Sequence, residues 1–129
     1  MRFLFFIFMA FLFVSCTSVI RFSSNKIENT NQSKIFRGYA SYYHDSFNGK
    51  KTANGEIFDN NLLTAAHKEL PFNTIIKVKN IKNNKEVILR INDRGPFVSG
   101  RILDVSRKAA IELDFISEGI AEIEFEILE

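Results

Sequence analysis

The sequence has a single cysteine, no tryptophan, two prolines and two histidines among 129 residues. One cysteine leaves no partner for an intrachain disulfide, which excludes a disulfide-stapled scaffold. His44 and His67 have no ligand partners at metal-site spacing, so no metal is expected, and no motif implies a cofactor. An excess of one charge is also lacking: Lys+Arg 17 stand against Asp+Glu 15, interspersed and without a basic run, which argues against nucleic acid as a partner. Neither a Gly-x-Ser-x-Gly elbow nor a phosphate-binding loop occurs, and no internal repeat is visible. The longest apolar run, from Phe3 to Val14, falls short of the roughly 20 residues that span a bilayer.

That run has another use. Met1-Arg2 supplies a minimal basic start, the run itself an apolar core, and Ser15-Cys16 a small residue before the lone thiol. This is the pattern of an export signal. Phe13-Val14-Ser15-Cys16 resembles a bacterial lipobox, with Phe13 in place of the usual leucine, and Cys16 would then become the lipid-bearing N-terminus. The expectation is a signal peptide over 1–15, a lipidated, Ser/Asn/Lys-rich tether over 16–37, and a folded domain over 38–129. Acyl chains contribute about 0.8 kcal/mol per buried CH₂, enough together for a firm membrane anchor. Without the signal the chain is close to neutral.

Beyond the tether the apolar period is mostly two. Ala40 and Tyr42 alternate with Tyr39, Ser41 and Tyr43, and Ile76 and Val78 alternate with Lys77 and Lys79. After the turn signal Asn83-Asn84 comes Val87 to Ile91, which completes a hairpin. Ala121, Ile123, Phe125 and Ile127 alternate with three glutamates in a last strand that has one core face and one wet face. Ser106 caps a predicted helix from Arg107 to Leu113, and Leu62 to Lys68 reads as a second helical turn. Six or so short strands with one or two short helices in about ninety residues indicate a small barrel.

Four clusters carry the side chains suited to chemistry. Gly38-Tyr39-Ala40-Ser41-Tyr42-Tyr43 places aromatic hydroxyls at the domain start. Thr52-Ala53-Asn54-Gly55-Glu56 is a loop that closes on a carboxylate. Ala65-Ala66-His67 leads through Lys68-Glu69 to Leu70-Pro71-Phe72-Asn73-Thr74. Asn92-Asp93-Arg94-Gly95-Pro96-Phe97 is followed by Arg101-Ile102-Leu103-Asp104-Val105-Ser106. Asp93 stands where an apolar strand stops and a Pro-locked turn begins, a rigid place from which to present a carboxylate. The acid–base set is Glu56, Asp93, His67 and Asp104. Two carboxylates in one groove suit glycosidic bond cleavage, but by residue types alone the signal is weak, and Asp93 in isolation reads first as an ordinary strand end beside Arg94.

In this order the four clusters resemble the rare lipoprotein A (RlpA) family, over Gly38 to about Ser106 and with the final strand completing the domain. The resemblance implies a six-stranded double-psi β-barrel, with peptidoglycan glycan strands as substrate. It also implies lytic transglycosylase activity, which cuts between N-acetylmuramic acid and N-acetylglucosamine and leaves a 1,6-anhydro end. Many members carry a C-terminal glycan-binding (SPOR) domain. The chain matches a short form without it, and Tyr43 stands where the family continues with glycine.

Carried over by motif, Asp93 and Glu56 are the catalytic carboxylates. Asp93 would act as acid and then base while Glu56 orients the sugar or stabilises developing positive charge, and the sequence does not exclude the reverse. His67 would hydrogen-bond one of them. Tyr42, Thr52, Asn54, Arg94, Phe97 and Asp104 would line the substrate groove, and Arg94 is expected to turn away from Asp93. The corresponding expectation is a monomeric lipoprotein of the bacterial envelope, anchored through Cys16 and facing the periplasm or wall. Two other readings use the same barrel: a non-catalytic, expansin-like module that binds or loosens the wall, and an accessory lipoprotein for protein contacts.

Overall fold

Alternating apolar positions give six strands that close on one another in a computed structural model, which describes residues 32–129. The export signal, Cys16 and the first part of the tether lie outside the described residues. The strands are β1 (Ile35–Tyr42), β2 (Thr64–Ala66), β3 (Ile75–Asn80), β4 (Glu86–Asp93), β5 (Arg101–Val105) and β6 (Ile120–Ile127). Around the barrel they run β1-β5-β2-β4-β3-β6, and β1 pairs with β6 to close the ring. Pairs β1–β5 and β2–β4 are parallel and the others antiparallel. The expected six-stranded barrel is therefore present, and so is the hairpin, as β3–β4.

Inward residues of period two fill the interior. Ala40, Ile76, Val78, Leu89, Ile91, Leu103, Val105, Ile123 and Phe125 are all buried. The helix α1 (Arg107–Glu112) plugs one side with Ala109, Ala110 and the following Leu113. Its N-terminus is capped as the sequence predicts, with Ser106 Oγ accepting from the Ala109 amide at 3.2 Å. Its C-terminal end is held from β3 and the hairpin turn, since Asn80 and Asn83 both donate to the Leu113 carbonyl.

Two details differ from the sequence reading. The first strand starts at Ile35, inside the stretch assigned to the tether, because 35–37 pair with 124–126 of β6. Leu62 to Lys68 is not helical: its centre is β2, three fully buried residues inserted between β4 and β5. A three-residue strand with no exposed position carries no alternation by which to recognise it.

The wet face of β6 is an ion-pair ladder. Glu124 meets Lys79 at 2.8 Å and Arg37 at 3.0 Å, and Glu126 meets Lys77 at 2.7 Å and the Ser33 hydroxyl. Such pairs are screened by solvent and add little to stability.

Two register slips shape the functional end. In β2–β4 the pairing passes from Ala65↔Ile91 to Ala66↔Asp93, so Asn92 is an extra residue in β4. In β1–β5 it passes from Tyr39↔Arg101 to Ala40↔Leu103, which makes Ile102 the extra residue in β5. Bulges of this kind bend a strand and re-aim the side chains that follow. Here those side chains include Asp93 and Asp104.

Candidate active site

Four adjacent strands bring one row of residues together: Asp93 on β4, Ala66 on β2, Asp104 on β5 and Ser41 on β1. Strands lie about 4.8 Å apart, so the backbones of the two aspartates are roughly 10 Å apart across the small side chain of Ala66.

Asp93 is held by three donors. Its Oδ1 accepts from the backbone amides of Ala53 at 2.8 Å and Arg94 at 2.9 Å, and its Oδ2 accepts from the Tyr43 hydroxyl at 2.5 Å. The Tyr43 phenol is pushed well above its ordinary range, first by burial, then by the hydrogen bond to Asp93 and the charges of Asp93 and Asp104. It is a standing donor. Its ring is fixed between Phe58, 4.4 Å away, and Phe47, 5.4 Å away. Asp104 accepts from Ser41 Oγ at 2.5 Å and from the Arg101 guanidinium at 2.8 Å.

Glu56 lies in a different setting. Arg90 grips its carboxylate with two bonds of 2.6 and 2.8 Å, and Asn54 and Asn92 donate at 2.8 and 3.3 Å. The Arg90 hydrogen bonds are the largest cause that lowers its pKa to about 2. Around it Thr52 Oγ1 donates to Asn54 Oδ1 at 2.5 Å, and the Thr52 amide to the Glu56 carbonyl at 2.8 Å. Thr52 and Asn54, expected in the groove, spend these polar atoms holding their own loop. That loop in turn places the Ala53 amide on Asp93.

His67 does not bond a carboxylate, contrary to the expectation. Its Nδ1 accepts from the amides of Glu69 and Leu70, both at 3.0 Å, so the ring caps the turn that follows β2. Burial is the main cause that lowers its pKa, so the neutral ring is favoured, with its proton on Nε2. Its backbone amide donates to the Asp93 carbonyl at 3.2 Å. Arg94 does turn away from the Asp93 carboxylate: its guanidinium stacks 3.9 Å over Phe72 and donates to the His67 carbonyl. Phe97 stands 80% exposed just beyond Gly95-Pro96.

Tyr42 is a further correction. Its ring packs edge-on to Phe115 and its hydroxyl donates to the Ile116 carbonyl, so it belongs to the packing around the end of α1. Tyr43 is the tyrosine of the site. Strand alternation carried this information, because Tyr42 shares the face of buried Ala40 while Tyr43 shares the face of Ser41. Arg90 and Asn92 were also missed, although both lie on β4 within reach of the Glu56 loop.

A small closed barrel with two parallel strand pairs, and acidic side chains clustered at strand ends, is a double-psi β-barrel. The chain belongs to the lytic transglycolase family, whose model matches residues 35–125. It is 53% identical over 92 residues to the "Endolytic peptidoglycan transglycosylase RlpA" of Pasteurella multocida, covering 71% of this chain and 31% of that one. Against the protein of the same name from Campylobacter jejuni it is 54% identical over 91 residues, covering 70% and 33%. The chain thus spans about a third of the length of these curated relatives. Among solved structures, the Streptomyces papain inhibitor aligns at TM-score 0.61 with 18% identity, covering 74% of this chain and 96% of that one. A mutant Clavibacter michiganensis expansin in complex with cellohexaose aligns at TM-score 0.60 with 17% identity, covering 74% and 51%. At such identities these two likenesses establish the fold alone.

Proposed function

We propose that the protein is an endolytic peptidoglycan transglycosylase. It cleaves the bond between N-acetylmuramic acid and N-acetylglucosamine, leaving a 1,6-anhydro-muramic end. Family membership and the names of the half-identical relatives support this reading. The observation that carries it in this chain is the surroundings of Asp93.

Asp93 in its protonated form gives its proton to the glycosidic oxygen as the C1–oxygen bond breaks and C1 takes on oxocarbenium character. The C6 hydroxyl of the muramic residue then attacks C1, and the Asp93 carboxylate takes the C6 proton. The acid is regenerated and no water is consumed. Between these two events Asp93 is an anion, and three donors are already aimed at it: the Ala53 amide, the Arg94 amide and the Tyr43 hydroxyl. Donors fixed beforehand where charge develops need no reorganisation during the reaction.

Glu56 is committed elsewhere: Arg90 grips both of its oxygens and Asn54 and Asn92 donate to them as well, which holds it as a structural anion. We assign it to positioning, by locking the loop that presents the Ala53 amide. His67 positions Asp93 through the backbone at the end of β2. Asp104 shares the cross-strand row of Asp93, Arg94 supports Asp93 through its backbone amide, and Phe97 offers an open ring to a sugar face. Among the described residues the closed ring of strands leaves no unpaired barrel edge to recruit a second copy, which supports a monomer.

The same reading extends to location. The sequence Phe13-Val14-Ser15-Cys16 supports export followed by lipidation at Cys16, which anchors the protein in the bacterial envelope with its barrel facing the periplasm or wall. Labelling with palmitate should vanish in Cys16→Ala, and label that persists contradicts the anchor.

Digestion of purified peptidoglycan in ¹⁸O-labelled water tests the chemistry. Anhydro-ended fragments free of the label are expected. Labelled reducing ends would identify a hydrolase instead, and intact sacculi would rule out cleavage.

A further inference from the structure

We propose that Phe47 is a sugar-stacking platform that holds one pyranose ring of the glycan strand beside Asp93. The inference rests on the glycan-cleaving reading and adds a binding residue to it. Phe47 ends the 3-10 turn Asp45–Phe47, which directly follows Tyr43-His44. Its ring meets the Tyr43 ring edge-on at 5.4 Å, and the Tyr43 hydroxyl is bonded to Asp93. One side chain therefore separates this ring from the carboxylate.

Packing does not account for its exposure. Phe47 lies outside the hydrophobic core and remains 44% exposed. The Tyr43 ring already has a buried partner in Phe58, which is 3% exposed and 4.4 Å away. The backbone beneath Phe47 is nevertheless tightly pinned. The Phe47 amide donates to the His44 carbonyl and the Lys50 amide to the Phe47 carbonyl, both at 3.1 Å. Just after the turn, the Gly49 amide donates to the Phe58 carbonyl at 2.9 Å and the Phe58 amide to the Lys50 carbonyl at 2.7 Å. Asn48 Oδ1 also accepts from the Asn60 amide at 2.7 Å.

An apolar ring held rigidly at the surface, next to polar catalytic groups, loses little freedom when a flat ligand face settles on it. The C–H face of a pyranose fits such a ring. Lys50 Nζ stands 5.4 Å from the ring centroid, a loose contact that a sugar can displace. With exposed Phe97 just beyond Asp93 in sequence, the site has two open aromatic rings for one strand.

The test combines turnover with binding. Steady-state cleavage of glycan strands is measured for wild type, Phe47→Ala and Phe47→Tyr. Binding of chitohexaose and of glycan strands is measured by calorimetry in the Asp93→Asn background, with and without Phe47→Ala. Phe47→Ala should raise KM and Kd about tenfold, while Phe47→Tyr stays close to wild type. An unchanged Kd overturns the platform. A fall in kcat at constant KM overturns it as well, because the ring would then serve only to hold Tyr43. If wild type cleaves and Phe47→Ala matches it, the platform alone fails; if wild type neither binds nor cleaves, the proposed activity fails with it.

Discussion

Tyr43→Phe removes one oxygen atom and leaves the ring between Phe47 and Phe58. The Asp93 anion then loses one of three donors while the packing around it keeps its shape. The expected result is a kcat lower by roughly 10- to 100-fold with KM nearly unchanged, since a fixed donor to developing charge acts on the chemical step. Glu56 predicts a different behaviour. Its pKa falls from an ordinary value of 4.5 to about 2 on folding, so its pairing with Arg90 stabilises the fold fully above pH 4.5. That contribution is lost as the pH drops through about 2. Urea midpoints of wild type should therefore decline between these values, and Glu56→Gln should be less stable at pH 7 but flatter across the same window. The pair is partly exposed, so the difference should be modest.

The carboxylates Asp93 and Glu56 were legible in the sequence, but their separate tasks were not. Roles depend on partners distant in the chain: Tyr43 is 50 residues from Asp93, and Arg90 is 34 from Glu56. No local pattern encodes those contacts.

Among the elements, the long β1–β2 connection depends on one buried side chain. Asn60 accepts from the Arg107 amide and donates to the Tyr43 carbonyl and the Asp45 carboxylate. It ties the strand end that carries Tyr43 to the start of α1. Asn60→Ala should cost about 2–3 kcal/mol, because it leaves buried groups unpaired, and chemical denaturation will measure this. Ser106→Ala should cost about 1 kcal/mol through loss of the helix cap. The helix, the hairpin and β6 were readable because each shows its own period or cap. β2 and the bulges at Asn92 and Ile102 were not, since a short buried strand lacks alternation and a bulge follows from pairing across the barrel.

For the whole molecule, closure of β1 on β6 makes the barrel one structural unit whose ends are joined by the first and last strands. The ion-pair ladder on its outside adds little to this. High salt, about 1 M, should leave the thermal unfolding midpoint nearly unchanged, because exposed pairs are already weak and are further screened. A larger loss in thermal unfolding would mean that the ladder, rather than the apolar interior, holds the ring closed. The overall fold was legible because six short strands in a small domain favour a closed sheet, and the order of the motifs selected which barrel.

The central claim is that Asp93 performs the proton transfers that break the glycan. Purified peptidoglycan incubated with wild type, Glu56→Gln and Asp93→Asn proteins of matched fold tests it most directly. Wild type should release anhydro-ended fragments, Glu56→Gln should retain a reduced rate, and Asp93→Asn should release none above background while still co-sedimenting with sacculi. Anhydro-ended products from Asp93→Asn at the wild-type rate would contradict the assignment.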